Sequence, residues 1–332
     1  MASNASESEK SASEAEAQGN FYFGRFDRIG DLKDLEKAIE HESRALALTP
    51  DGHPKLFNRL DALAKSHSDR FEHLGELADL EKAIEYYSRA LPLTLDGHPA
   101  FPIVLANLGT SYTRRFDSLG ELDDIKKAIE YEIRALAATA DDHPDLSDRL
   151  GNLGDSYSCL FEHVGQVDAL ELEQAIKCIS RAVDLISDGH PNLPKQLGNL
   201  GILYSNRFEH LGKLDDLEKA IECESRALAL TPDGHSDLPH RFINLGASYV
   251  MRFERLGELG DLEKGIEHMT RAVGLTSDDH PSLPAMVDNI GKLHKIRFDH
   301  FGEPKDIEQA IEHGARALTL TPRGHPELPR RC

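Results

Sequence analysis

The apolar residues of this chain recur at the spacing of an α-helix, in pairs of neighbouring segments. In the clearest first segment, Leu197, Leu200 and Tyr204 stand at i, i+3 and i+7, which places them on one helix face. A second stripe follows, through Leu217 and Ile221. Each pair therefore predicts a helix, a tight turn and a second helix, called helix A and helix B below. Neither helix can bury its stripe alone.

The same helical pair recurs about seven times along the chain. Five of the six spacings between its marker histidines are 45 residues and one is 47. A fixed period in this range predicts stacked supersecondary units that bury their stripes against each other. The markers are His53, His98, His143, His190, His235, His280 and His325.

We therefore expect an all-α solenoid over residues 19–332, preceded by a disordered tail at 1–18 that is rich in Ser, Ala and Glu. Any helix in this tail is expected near Ala12–Gln18. The front of the first helix A is expected to be degraded. An open C-terminal loop is expected at 326–332. The predicted repeats, numbered one to seven below, are 19–53, 54–98, 99–143, 144–190, 191–235, 236–280 and 281–325.

Two motifs carry a family resemblance. Helix A reads L-x2-L-G-x2-Y from Leu197, and helix B reads A-x6-A-x4-P from Ala220. Both resemble the tetratricopeptide repeat (TPR), whose usual unit is about 34 residues. The longer unit is similar to the kinesin-light-chain type, and closer still to TPR arrays of fungal proteins that often precede a caspase-like CHAT protease domain. The resemblance implies a right-handed α-solenoid.

An asparagine column on helix A is the first candidate binding feature. Asparagine is a poor helix former, so its repetition inside a helix requires compensation. The resemblance implies that helix A lines a concave groove, where such a ladder hydrogen-bonds the backbone of a bound peptide. The alternative is that each amide bonds a neighbouring helix. The column is Asn107, Asn152, Asn199, Asn244 and Asn289.

The groove positions beside this column vary from repeat to repeat. They include Arg114, Asn206, Lys292 and Lys295, and together they carry four positive and two negative charges. We therefore expect a mildly basic, partly apolar groove that prefers acidic and apolar peptides.

Two further columns have expected structural roles. A phenylalanine near the end of helix A is present in all seven repeats, and we expect it in the core. The arginine before it is expected to pair with the glutamate of the A-I-E triplet in helix B, as in Arg207–Glu222 and Arg115–Glu130. Repeat four lacks both, with Leu160 and Lys177 instead. The phenylalanines are Phe26, Phe71, Phe116, Phe161, Phe208, Phe253 and Phe298.

The marker histidines suggest metal at first sight. One ligand in each unit, a whole repeat apart, cannot converge on one ion in the tetrahedral geometry that zinc prefers. We instead expect a turn, in which glycine takes a positive φ and the histidine bonds a loop carbonyl.

Composition narrows the function. A formal charge of −20 argues against nucleic acid and anionic membrane surfaces as partners. The four cysteines form no C-x-x-C pattern and are expected to be reduced thiols. No leader or membrane-spanning run is visible, so we expect a cytoplasmic protein.

The predicted function is a non-catalytic scaffold that binds a protein or peptide in the groove, without a cofactor or metal. No G-x-S-x-G, H-E-x-x-H, P-loop or dinucleotide fingerprint is present, so we expect no enzyme activity. The alternative is a sensor or regulatory module of a caspase-like, CHAT-type protease system, whose catalytic domain is absent from this chain.

Overall fold

The computed structural model describes residues 2–94, 97–164 and 169–321, and the statements below concern these residues. They form α-helices joined by short loops, with one 3₁₀ helix at Leu91–Thr94 and no strand. Odd-numbered helices are the predicted A helices and even-numbered ones the B helices. The α-helices are α1 (Ala2–Ile29), α2 (Leu32–Ala47), α3 (Leu56–Leu74), α4 (Leu77–Ala90), α5 (Phe101–Leu119), α6 (Leu122–Ala137), α7 (Leu146–His163), α8 (Ala169–Leu185), α9 (Leu193–Leu211), α10 (Leu214–Leu230), α11 (Leu238–Leu256), α12 (Leu259–Leu275), α13 (Leu283–Phe301) and α14 (Pro304–Leu320).

The chain divides into two compact units, Met1–Cys178 and Ile179–Cys332, called unit 1 and unit 2. Within unit 1, helix A packs on helix B in each of the first three repeats, and helix B packs on the next helix A. Unit 2 has the same order from α9 to α14. Consecutive helix pairs that pack in this order are those of a solenoid of TPR-like repeats, so the predicted all-α solenoid class is confirmed.

The core of each unit follows the predicted helical stripes. In unit 1, Leu80, Leu108 and Ile125 are fully buried, and in unit 2 so are Val287 and Ile290. The phenylalanine column belongs to these cores. Four members are buried and the other three are half-buried. Its expected packing role is therefore confirmed.

Glycine ends most of the A helices, and Gly212 after α9 is a clear example. There φ is +65°, and the glycine N–H donates to the carbonyl of Phe208 at 2.7 Å. A left-handed residue after the helix costs little only for glycine, since it has no Cβ. Five further A helices end in the same way, at Gly30, Gly75, Gly120, Gly257 and Gly302.

The amino terminus differs from the expected tail, because α1 already begins at Ala2. Alanine, glutamate and lysine are good helix formers. Ala12 and Ala15 are buried, and Glu16 reaches Arg59 of α3, so small apolar residues and an ion pair hold this segment. The front half of the first helix A is thus present. At the other end, His325 and the predicted loop at 326–332 lie outside the described residues.

Candidate functional site

The asparagine column lies on one register of the A helices, two residues before the glycine of the L-G motif. Asn107, Asn199 and Asn244 are half-buried, whereas Asn152 and Asn289 are exposed. The helices therefore bring the amides to equivalent positions within each unit, where a ligand can reach them.

The amides of Asn107, Asn152, Asn244 and Asn289 have no hydrogen bond to any other described residue. The structural alternative, in which each amide bonds a neighbouring helix, therefore lacks support at these four positions. An amide offers both donors and an acceptor, so each can bond a peptide backbone.

The three candidate groove cations each have an acidic partner within the chain. Arg114 contacts Glu72 of the preceding repeat. Lys292 lies 2.8 Å from Asp288, measured from Nζ to Oδ2. Lys295 approaches Asp299 in the same way at 2.6 Å. The structure therefore does not present them as free positive charges. The fourth candidate, Asn206, is half-buried.

In unit 2, half-buried apolar side chains lie beside the asparagine column. Ile202 follows the glycine of α9 by one residue, and Met251 and Ile296 follow their own glycines by five. Val250 is also half-buried. This face therefore combines amides with apolar surface, the composition expected of a peptide-binding surface.

The arginine of helix A pairs with an aspartate, so the predicted arginine–glutamate pairs are wrong. Arg115 Nε and Nη2 donate to Asp124 Oδ2 and Oδ1 at 2.8 and 2.6 Å, and Asp124 is the third residue of α6. Glu130 lies 3.8 Å from Arg134 instead. The same aspartate pair recurs in six repeats, at Arg25–Asp34, Arg70–Asp79, Arg115–Asp124, Arg207–Asp216, Arg252–Asp261 and Arg297–Asp306.

These pairs lie between helices A and B of one repeat and fix their register. Each aspartate is almost fully buried. In the pairs of Arg70, Arg115, Arg207 and Arg252, Nε and Nη2 donate to separate carboxylate oxygens, and this fork-to-fork geometry is the strong form of the contact. The Arg297 guanidinium holds the pKa of Asp306 below its usual value. His294, which replaces the motif tyrosine, adds a third contact to that carboxylate at 3.2 Å.

The sequence interpretation missed a set of buried glutamates on helix B. Glu132 is 4% exposed, and burial raises its pKa to about 8, partly offset by the Ser156 hydroxyl. A Cβ on Gly109 would lie 2.5 Å from Glu132 Cγ, so the motif glycine makes room for this side chain. Burial likewise raises the pKa of Glu42 and of Glu224 to about 7.

The buried glutamates alternate with apolar residues from one repeat to the next. Repeats one, three and five have Glu42, Glu132 and Glu224, and the following helix A then supplies a buried serine and a buried arginine. The B helices of repeats two, four and six have apolar residues at this position, and repeat seven has Gly314. The serines are Ser66, Ser156 and Ser248, the arginines Arg59, Arg149 and Arg241, and the apolar residues Tyr87, Ile179 and Met269. A comparison of every second repeat would have revealed this pattern.

One of these junctions borders the asparagine column. Glu132, Arg149 and Asn152 line the same small cavity of about 10 Å³ in unit 1. The asparagine column is therefore next to a buried polar layer in this repeat.

The marker histidines close the turn before helix A, but not as predicted. The Nδ1 atom of His98 accepts the backbone N–H of Ala100 at 3.1 Å, rather than bonding a carbonyl. Five other markers do the same. The expected positive φ is confirmed at Gly52, Gly97 and Gly234 but not at Gly189. No three potential metal ligands cluster within the described part of the chain.

No family model and no curated protein matches the sequence. Solved structures do match the fold. The assembly chaperone of RpL4 (Acl4, residues 1–338) superimposes with a TM-score of 0.50 at 13% identity, covering 86% of this chain and 99% of that one. BtubC (BKLC) from P. vanneervenii gives 0.48 at 19% identity, with coverages of 81% and 90%.

A third match is a kinesin-light-chain-type repeat protein. It is a putative kinesin light chain with nearly identical TPR-like repeats from Podospora anserina, with a TM-score of 0.47 at 15% identity, covering 69% of this chain and all of that one. At such identities the likeness concerns the fold alone.

The described helices therefore form the paired, stacked units expected of TPR-like repeats, and the solved structures bear on the fold alone. Among its described helices, none has the length and apolar character needed to cross a membrane.

Proposed function

We propose that this protein is a non-catalytic scaffold whose A helices bind an extended segment of a partner protein. The observation that carries the proposal is the set of asparagine amides without internal hydrogen bonds, at Asn107, Asn152, Asn244 and Asn289. Asparagine costs helix stability relative to alanine. Its repetition at a solvent-accessible register is therefore best explained by an external partner.

The neighbouring side chains support a ligand of mixed character. Amides grip a peptide backbone whatever its sequence, while Ile202, Met251 and Ile296 offer apolar contacts in unit 2. Since Arg114, Lys292 and Lys295 are already paired, specificity for acidic residues does not follow from net charge. The asparagines and the apolar side chains carry this binding mode.

The test compares the partners captured by two variants with those of the native chain. The first variant replaces Asn107, Asn152 and Asn244 with alanine. The second, a matched control, replaces three exposed residues of the B helices, Lys126, Glu218 and Glu263, with alanine. Quantitative mass spectrometry of captured proteins measures the difference.

We expect the asparagine variant to lose partners that the control retains. Each lost hydrogen bond weakens binding by about 0.5–1.5 kcal/mol, so the triple variant should bind at least about tenfold more weakly. Its helical stability should stay equal or rise, because alanine is the better helix former. Equal partner sets together with a destabilised asparagine variant would make the column structural. A caspase-like protease among the lost partners would instead support the regulatory alternative.

A further inference from the structure

A cavity of about 550 Å³ lies in unit 2, where the loop before α9 meets the loop before α11. It does not include the asparagine column. The ionisable residues that line it are Asp188, His190, Lys195, His235, Asp237 and Arg241.

Arg241 is the buried cation of this cavity. Only 9% of the residue is exposed, and its Nε has no hydrogen-bond partner. Its nearest acidic contact is Asp237, 3.6 Å from Nη2 to Oδ2, which is beyond hydrogen-bond distance. A Cβ on Gly198 would lie 1.6 Å from Nη1, so only glycine admits the guanidinium here. The arginine is thus buried with unsatisfied donors at a cavity wall.

Unit 1 shows how the same arginine is satisfied. Arg59 stands at the equivalent position, and its Nη2 lies 3.0 Å from both Glu9 Oε1 and Glu16 Oε2. His53 approaches Glu9 through Nε2 at 3.1 Å, and Lys55 approaches Glu16 through Nζ at 3.2 Å. Two carboxylates from α1 therefore fill this position in unit 1.

The equivalent positions, 182 residues further along the chain, keep the arginine and the histidine but lack the two carboxylates. Arg241 and His235 replace Arg59 and His53 without change of residue type. The carboxylates are missing, because Glu9 corresponds to Pro191, Glu16 to Gly198 and Lys55 to Asp237.

We propose that this cavity is a binding site for a ligand with two carboxylate groups, anchored by the guanidinium of Arg241. The ligand supplies from outside what Glu9 and Glu16 supply in unit 1. His235 donates from Nε2, since its Nδ1 accepts the backbone N–H of Asp237 at 3.1 Å. The carboxylates of Asp188 and Asp237 also face the cavity and oppose an anion. Asn244 lies about one helical turn from Arg241 on α11 but does not line this cavity.

The probes are glutarate, a free dicarboxylate, and a capped Gly-Glu-Gly-Glu-Gly peptide, each titrated into the full chain by calorimetry. Glutaramide, which is neutral, is the ligand control. Arg241→Gln removes the anchor and should fold, because Gln196 occupies this register naturally in repeat five. Arg149→Gln is the matched control, since its cavity holds only about 10 Å³.

We expect saturable binding of glutarate or the peptide, and whichever binds identifies a free acid or an acidic side chain as the source. Arg241→Gln should weaken it by at least about tenfold, while Arg149→Gln should leave it unchanged. Asp237→Lys, which restores the charge found at Lys55, should tighten it. Absence of binding by both probes, equal binding of glutaramide, or equal affinity of the folded Arg241→Gln variant would overturn the proposal.

Discussion

The buried carboxyl of Glu132 should make the stability of this protein fall as the pH rises. In the unfolded chain its pKa is near 4.5, whereas burial raises it to about 8 in the folded state. Between these values the folded protein keeps the proton and the unfolded chain loses it. The stabilisation is therefore complete below about pH 4.5 and is lost as the pH rises through about 8.

The magnitude follows from the size of the shift. One pKa unit corresponds to 1.36 kcal/mol, so a change from 4.5 to about 8 corresponds to about 5 kcal/mol. Glu132→Gln keeps the shape of the side chain and cannot ionise. Near pH 5 the variant should resemble the native chain, and near pH 9 it should be more stable by several kcal/mol.

Urea unfolding followed by circular dichroism, at several pH values, measures this difference. Glu130→Gln in the same helix is the control, because the Glu130 side chain is 67% exposed and its replacement leaves the buried layer intact. A constant stability difference between Glu132→Gln and the native chain from about pH 5 to about pH 9 would refute the reasoning. It would mean that Glu132 is ionised in the folded protein.

Two further predictions concern packing within a repeat. Asp124→Ala should lower the free energy of unfolding by about 3 kcal/mol in the native chain. It should lower it much less in an Arg115→Leu background, because that variant has already lost the bidentate pair. A urea double-mutant cycle measures this coupling, and a value near zero would exclude the pair. Gly201→Ala should cost about 1–3 kcal/mol, because the new Cβ would lie 2.5 Å from Glu224 Cγ. Gly274→Ala, with open space around it, should instead stabilise the chain, and thermal melts that rank the two variants equally would contradict this account.

The helices were predictable because their signals are local. The stripe through Leu197, Leu200 and Tyr204 falls on one helix in the structure, α9 at Leu193–Leu211, which Gly212 ends. The 3₁₀ turn after α4 likewise follows from Pro92, which cannot continue the helix. The helical stripe needs only neighbouring residues, so one sequence is sufficient to read it.

The polar partners were not predictable in the same way. Repeat four has Leu160 in place of the arginine and Lys177 in place of the glutamate. It also has Glu171 in place of the paired aspartate. One exceptional repeat therefore could not tell the aspartate from the glutamate as the partner. The helical start of α1 was missed because alanine contributes little to an apolar pattern, although Ala12 is fully buried against its neighbours.

The position of the asparagine column was predictable, but its use was not. Sequence spacing places Asn152 and Asn244 on helix A, and only the structure shows that their amides have no internal partner. The cavity at Arg241 was invisible to the sequence, because it depends on the space that Gly198 leaves.

The alternation of buried glutamate and apolar residue also determines how the array can change in length. If one repeat were deleted after repeat one, Glu42 would face a helix A with Val104 and Ser111 in place of Arg59 and Ser66. If two were deleted, it would face Arg149 and Ser156, and a matching junction would be restored. The unit by which the array can be lengthened or shortened is therefore the double repeat of about 90 residues. A change by an even number of repeats preserves the buried polar layers.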